Sequence, residues 1–218
     1  MQYDVMPMPP EMFRARCAEA VDLYISAMGY DPSLAPGRVR AWLRQMEQPR
    51  WAAACIVAHD GSTPPDRALA DPRNPLAGIA FCHRGSPTQW WSRQVRGGMA
   101  TRRRPLREVH ATLSDYVELA EIHVAPGHQG AGLGEELLRT LLEGRRERLV
   151  LLSTPEVPRE ANRAWRLYRR LGFADVLRGF LFPGDSRPFA ILGAPLPLPP
   201  RGGRRHVEDG DVRESRDA

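Results

Sequence analysis

The sequence of 218 residues contains no lysine, so its 31 basic side chains are all arginines. It also lacks any uninterrupted run of about 18 apolar residues, which predicts that no helix spans a membrane. No basic segment followed by an apolar one marks the N-terminus, so we expect no signal peptide. The three cysteines, Cys17, Cys55 and Cys82, are widely spaced and form no C-x-x-C pair. They are typical of buried, reduced thiols, and we expect a cytoplasmic protein.

Hydrophobic residues make up 42% of the chain, which is enough for one sizeable core. We therefore predict a single domain over residues 1–198. Residues 199–218 are mixed in charge and almost without apolar side chains, so we expect a disordered tail. The net charge of +5 suits an anionic ligand or partner, but it does not single out nucleic acid.

Hydrophobic periodicity predicts an alternation of helices and strands. Helices are predicted over residues 11–28, 37–48, 133–147 and 160–171. Strands are predicted over residues 50–59, 76–85, 117–126, 148–154, 172–180 and 189–196. The strands at 117–126 and 148–154 flank a tight turn and a helix. This β-α-β order predicts that the two strands are parallel neighbours.

Residues 86–115 show no clear period and are rich in arginine. We interpret them as a long, mobile, basic loop insertion that holds at most one short helix. Such a loop is either solvated or involved in binding a substrate or partner.

The stretch Gln129-Gly130-Ala131-Gly132-Leu133-Gly134 lies between a predicted strand and a predicted helix. A helix N-terminus presents unpaired N–H groups and a partial positive charge, so it binds anions where no side chain blocks the approach. The three glycines can adopt φ values closed to other residues and turn these N–H groups toward one ligand. The Gln129 side chain can add an amide at the same edge. The spacing matches neither the P-loop nor the dinucleotide fingerprint, and on its own it leaves a packing role open.

A second segment, ANRAWRLYRRLGF at residues 161–173, follows this glycine turn along the chain. Together with Val124-Ala125-Pro126 and the glycine turn, it resembles the GNAT superfamily of acyl-CoA-dependent N-acetyltransferases. The resemblance is strongest over residues 117–180, and the preceding helices and hairpin fit the superfamily only in their order. It implies an α/β (α+β) fold, in which helices flank a mixed, mostly antiparallel sheet with a splayed central parallel pair.

The resemblance also implies acetyl-CoA as co-substrate. We expect no metal, because the sequence has no spaced His/Cys cluster for zinc. In the superfamily the glycine turn holds the pyrophosphate of coenzyme A on backbone amides, which here concerns Gln129, Gly130, Ala131, Gly132, Leu133 and Gly134. The pantetheine arm lies between the splayed strands, at positions that match Ile122, His123 and Val124. The positions that match Asn162 and Tyr168 commonly contact the cofactor arm and approach the thioester sulfur.

The implied reaction is direct attack of an amine on the thioester in a ternary complex. Tyr168 is the implied general acid for the leaving thiolate, and a backbone N–H near Val124 could donate to the oxyanion. Glu118 lies six residues before Val124, where some superfamily members carry a catalytic glutamate. Strict alternation along the strand would place Glu118, Ala120, Ile122 and Val124 on one face and Glu121 and His123 on the other. A bulge would change this register, so Glu121 and a water relay stay open as alternatives to Glu118.

Two other functions are left open by the sequence. One is a catalytically idle GNAT-like domain that binds acyl-CoA as a sensor or packs against a partner. The other is a basic nucleic-acid binder, although the chain shows no aromatic platform of a known nucleic-acid-binding fold. The acceptor amine is unknown: an amino acid, a peptide N-terminus, a protein lysine and an aminoglycoside all fit. We expect no membrane partner, and we leave self-association into a homodimer open.

Overall fold

The computed structural model describes residues 1–201, so the tail expected at 199–218 falls almost wholly outside the described residues. The strands of this part of the chain are β1 (Gln2–Met8), β2 (Ala52–His59), β3 (Leu76–Arg84), β4 (Tyr116–Val124), β5 (Leu149–Pro155), β6 (Ala174–Phe180) and β7 (Phe189–Pro195). Its helices are α1 (Pro10–Met28), α2 (Ala35–Gln45), α3 (Pro65–Ala70), α4 (Trp90–Thr101), α5 (Leu106–Leu113), α6 (Leu133–Leu142) and α7 (Arg163–Arg170). Most bounds lie within a few residues of the predicted ones.

The strands form one sheet in the order β1-β2-β3-β4-β5-β7-β6. All neighbours are antiparallel except β4 and β5, which run parallel. The predicted mixed, mostly antiparallel sheet with a central parallel pair is therefore confirmed.

Helices cover both faces of the sheet. The helices α1 and α2 pack on one face around Phe13, Trp42 and Phe81. The helices α6 and α7 pack on the opposite face, where Leu137 and Trp165 are fully buried. The helices α4 and α5 lie on the same face as α1, but over β5, β6 and β7. The helix α6, which follows the glycine turn, therefore lies on the other side of the sheet from α1 and α2.

Residues 86–115 are not the loop that we predicted. They form α4 and α5, and α4 buries Trp91, Ser92, Val95 and Met99. Three of these recur at helical spacing, but the neighbouring glycines and arginines hide the pattern. The strand β1, which contains Pro7, was also not predicted. Since β1 is an edge strand, its proline is tolerated there.

Two further expectations concern the cysteines and the membrane. Cys17, Cys55 and Cys82 are all buried and unpaired, as expected. Burial raises the pKa of the Cys17 thiol to about 11, which keeps it protonated and unreactive. Within residues 1–201, no helix has the length and apolar character needed to cross a membrane.

Candidate active site

The parallel strands β4 and β5 separate beyond their first residues. They pair only from Tyr116 to Glu118 on β4 and from Leu149 to Leu151 on β5. Residues 119–124 keep their pairing with β3 but have no partner on the β5 side among the described residues. The predicted splay is therefore present, and it opens a gap beside the second half of β4.

Hydrogen bonding to β3 decides which backbone groups face this gap. The Ala125 N–H donates to the Ala77 carbonyl over 2.9 Å. Because bonded pairs alternate along an antiparallel ladder, the peptide groups of Ile122 and Val124 point away from β3 and into the gap. The backbone of His123, which we expected to line the gap, faces β3 instead.

The glycine turn has the geometry of an open helix N-terminus. Gly130 has a φ of +100° and Gly132 a φ of +82°, values that favour glycine. Gly132 precedes α6, and no side chain of residues 1–201 caps the helix, so its first N–H groups remain available to a ligand. Gly134 differs from our expectation, because it lies inside α6 with helical backbone. Ala131 is exposed on the turn, and the buried Leu133 anchors it to the core.

The Gln129 side chain links two elements rather than offering a spare donor. Its Nε2 donates to the Val124 carbonyl over 2.9 Å, and its Oε1 accepts a hydrogen bond from Arg163 Nη1 over 3.2 Å. The Arg163 guanidinium lies 3.9 Å from the position that a Cβ would take on Gly130. Sequence reasoning missed Arg163, because only the fold brings the start of α7 beside the glycine turn.

The two predicted residues of α7 have different environments. Asn162 caps the helix, because its Oδ1 accepts a hydrogen bond from the Trp165 N–H over 2.9 Å. Tyr168 is buried, and its ring centroid lies 5.5 Å from that of Phe173. Burial and, to a smaller extent, the negative charge of Glu121 raise the pKa of Tyr168 well above its usual range. The hydroxyl therefore keeps its proton at any physiological pH.

A bulge in β4 changes the face on which its carboxylates lie. Leu119 pairs with Cys82 and Glu121 with Phe81, so Ala120 is the extra residue. Glu118 pairs with His83, which lies on the same face of β3 as Phe81. Glu118 and Glu121 thus share one face of the sheet, so a bulge does change the register that strict alternation would give.

Glu118 is the buried carboxyl group of this site. The residue is 8% exposed, and its Oε2 has no hydrogen-bond partner among the described residues. Burial, followed by the negative charge of Glu121, raises the pKa of Glu118 to about 8. Perturbed values of this kind concentrate at functional sites, and a carboxyl with this pKa can exchange a proton near neutral pH.

Glu121, the alternative base, is held by other side chains. Its Oε1 accepts a hydrogen bond from Trp42 Nε1 over 3.3 Å, and its Oε2 lies 2.7 Å from His123 Nε2. The His123 ring in turn lies edge-on to Tyr24, with centroids 4.9 Å apart. With both oxygens occupied, Glu121 is better suited to organise the α1 face than to collect a proton.

A cavity of about 590 Å³ opens against the outer side of the glycine turn. It lies between Gly132, the outer face of α6 and the segment Pro199–Arg201, and Arg139 and Arg170 line it. Both arginines contact Glu135, at 3.0 Å and 2.9 Å. The cavity therefore joins the helix N-terminus to a charged surface.

Comparison with known proteins agrees with this architecture. A sequence model of the acetyltransferase (GNAT) domain matches residues 92–175. The GCN5-like protein acetyltransferase Rv2170 of Mycobacterium tuberculosis is 42% identical over 202 residues, covering 89% of this chain and 98% of the relative.

Solved structures share the fold at low sequence identity. A GNAT-family protein from Desulfovibrio desulfuricans has a TM-score of 0.55 at 16% identity, covering 89% of this chain and 99% of that one. The Salmonella typhimurium protein yncA, solved with its cofactor acetyl-CoA, has a TM-score of 0.54 at 14% identity, with coverage of 96% and 99%. From the relative and the family model together, the chain belongs to the GNAT family of acetyltransferases.

Proposed function

We propose that this protein transfers an acetyl group from acetyl-CoA to an amine by direct attack in a ternary complex. The observation that carries the proposal is the gap beside β4. It exposes the backbone N–H groups of Ile122 and Val124 on the same strand that carries the buried Glu118. A thioester in this gap would have backbone donors on one side and a proton acceptor within the same strand. The acetyl-CoA bound to yncA supports the choice of co-substrate.

The residues around the glycine turn suit the phosphates of coenzyme A. The uncapped N-terminus of α6 offers N–H groups and the positive end of the helix dipole. Arg163 adds a positive charge beside Gly130. The cavity next to Gly132 has room for the nucleotide end of the cofactor, where Arg201 supplies a further cation.

The proposed chemistry divides three tasks among the residues of the gap. Glu118 takes a proton from the attacking amine, because only a neutral amine is nucleophilic. A backbone N–H of Ile122 or Val124 donates to the oxyanion of the tetrahedral intermediate. Tyr168 gives its proton to the leaving thiolate, a role that suits a hydroxyl whose high pKa keeps it protonated. No covalent acyl-enzyme is required, and the buried cysteines stay outside the reaction.

The acceptor should approach from the face that carries α1 and α2. There the Arg38 guanidinium lies 5.0 Å from the ring centroid of Tyr24. The Arg187 guanidinium lies 5.2 Å from the ring centroid of Tyr30, which brings the β6–β7 connection to the end of α1. The relative of 42% identity is named a protein acetyltransferase, which supports an amine of a polypeptide as the acceptor.

A thiol-release assay tests the proposed function. The protein is mixed with acetyl-CoA and a panel of peptides, amino acids and aminoglycosides, free thiol is followed, and products are read by mass spectrometry. We expect turnover with at least one polypeptide amine. Tight binding of CoA by calorimetry without turnover on any amine would instead identify an idle domain that senses acyl-CoA.

Replacing Tyr168 by phenylalanine removes the proposed acid but keeps the buried ring. We expect Tyr168→Phe to lower kcat about 100-fold, the lower end of general acid catalysis, and to leave the Kd for CoA nearly unchanged. Steady-state kinetics and calorimetry on the same preparation separate the two effects. An unchanged kcat would show that Tyr168 only packs against the core.

A further inference from the structure

Three buried polar atoms, one of them on the proposed base, lack a hydrogen-bond partner within residues 1–201. They are Ser92 Oγ on α4, and Tyr116 OH and Glu118 Oε2 on β4. A buried polar atom without a partner carries a desolvation cost, and native proteins meet this cost with ordered water or with a function. Their concentration beside one carboxyl group therefore needs an explanation.

The fold brings these atoms to one place. Tyr116 and Glu118 are two residues apart on β4, before the bulge, so their side chains leave the same face of the strand. The Tyr116 ring lies directly over Gly85, where a Cβ would come within 2.0 Å of Tyr116 Cζ. On α4, Trp91 contacts the same ring at 5.9 Å between centroids, and the next residue is Ser92. Gly85 and α4 together fix the direction of the phenol oxygen.

The charges of these groups influence one another. Burial raises the pKa of Tyr116 to about 12; the Ser92 hydroxyl opposes the rise, and the negative charge of Glu118 adds to it. The positive charge of Arg96 on α4 also lowers this pKa. The other titratable groups that face Glu118 are its ladder partner His83 on β3 and Glu121 on β4. Burial lowers the pKa of His83, so its ring stays neutral.

We propose that Ser92, Tyr116 and Glu118 hold one buried water and form with it the path by which the acceptor's proton leaves Glu118. The proposal rests on the function proposed above. A buried water makes about three hydrogen bonds to groups that would otherwise be unsatisfied, which matches the three orphaned atoms. Tyr116 and Ser92 are positioning residues, because they act through Glu118 and not on the acceptor.

The proton transfers balance along this path. Glu118 gives the proton from the amine to the water, and the water gives one of its own to Ser92 Oγ, while Tyr116 OH holds the water in place. Ser92 is itself fully buried, so its own proton leaves when solvent reaches it from the side of α4 where Arg96 is exposed. The water and Ser92 Oγ each gain and lose one proton, so the relay is restored and Glu118 is again a carboxylate.

Kinetics of Tyr116→Phe test the relay, because the variant keeps the ring over Gly85. We expect kcat to fall about tenfold, which is less than the loss expected when Glu118 itself is replaced. The KM values for acetyl-CoA and for the acceptor should stay unchanged. The solvent deuterium isotope effect on kcat should rise. The midpoint of the pH dependence of kcat should move upward, because a donor that favours the charged carboxylate is lost.

Helix α4 supplies an independent variant at Ser92 and a matched control at Thr101. Ser92→Ala should show the same pattern, and it carries the kinetic test if Tyr116→Phe does not fold. Thr101→Val removes a hydroxyl from the exposed end of the same helix, where it donates to the Gly97 carbonyl, and should leave kcat and its pH dependence unchanged. A wild-type kcat and pH profile in both Tyr116→Phe and Ser92→Ala would overturn the proposal.

A crystal structure of the wild-type protein gives a readout that does not depend on activity. We expect one ordered water within hydrogen-bonding distance of all three atoms. If no amine is acetylated, the proposed function fails, while the crystal structure still decides the water site. Density that shows no water bonded to Ser92, Tyr116 and Glu118 would overturn the inference even in an active enzyme.

Discussion

Glu118→Gln is expected to lower kcat at least about 100-fold, the scale of losing a general base. The wild-type kcat should rise with pH to a plateau, with a midpoint near the pKa of about 8 that burial gives Glu118. The sign follows from its role, because a base acts only when deprotonated. Glutamine has the same shape and no proton to exchange, so the variant should lose this rise along with most of its activity. A pH profile of kcat at saturating acetyl-CoA and acceptor measures both the loss of activity and the loss of the rise with pH.

Glu121→Gln is the matched variant on the same strand. Since the negative charge of Glu121 helps to raise the pKa of Glu118, its removal should shift the midpoint of the profile to lower pH without abolishing the rise. The opposite result, with the rise kept in Glu118→Gln and lost in Glu121→Gln, would transfer the role of base to Glu121. If kcat still rises with pH in both variants, a water relay without a single base is favoured.

Gly132→Val is expected to weaken CoA binding about 100-fold. The φ of +82° at Gly132 is strained for a branched side chain, by about 1–3 kcal/mol, so the turn should change its backbone and misdirect the N–H groups of α6. Apart from Gly132 and its chain neighbours, no atom of the described residues lies within 4 Å of the missing Cβ, so the effect does not come from a clash with them. Calorimetric titration with CoA gives the Kd directly.

Gly144→Val is the control for backbone strain. Gly144 has a φ of +68°, equally open surroundings, and a place beyond the other end of α6. Both variants should lose thermal stability to a similar extent, but only Gly132→Val should lose affinity for CoA. Wild-type affinity in Gly132→Val would show that the pyrophosphate binds elsewhere.

Local features of the fold could be predicted from the sequence where one residue type determines the backbone conformation. Gly130 and Gly132 predict a turn of positive φ before a helix, and the structure has both. The end of α6 was placed too late, although Gly144 was a visible stop signal. Helix α4 was missed because its arginines and glycines are as many as its buried residues and hide their spacing.

The candidate site was harder to predict, because it depends on contacts between distant segments. The bulge at Ala120 follows from the register that β3 imposes on β4, and no local pattern reveals it. It places Glu118 and Glu121 on one face, where the negative charge of Glu121 acts on Glu118. Likewise, Gln129 looked like a free donor until the fold placed Val124 and Arg163 within reach of its side chain.

The burial of Glu118 also links activity to stability. Its pKa is about 8 in the folded protein, against an ordinary value of 4.5 that applies in the unfolded chain. Between these values the folded state binds more protons, so the contribution of Glu118 to the free energy of unfolding falls as pH rises. The ionisation that would activate the base is thus the one that weakens the fold. Binding of CoA to the folded state alone would offset this loss, so the protein should be most robust when it carries its co-substrate.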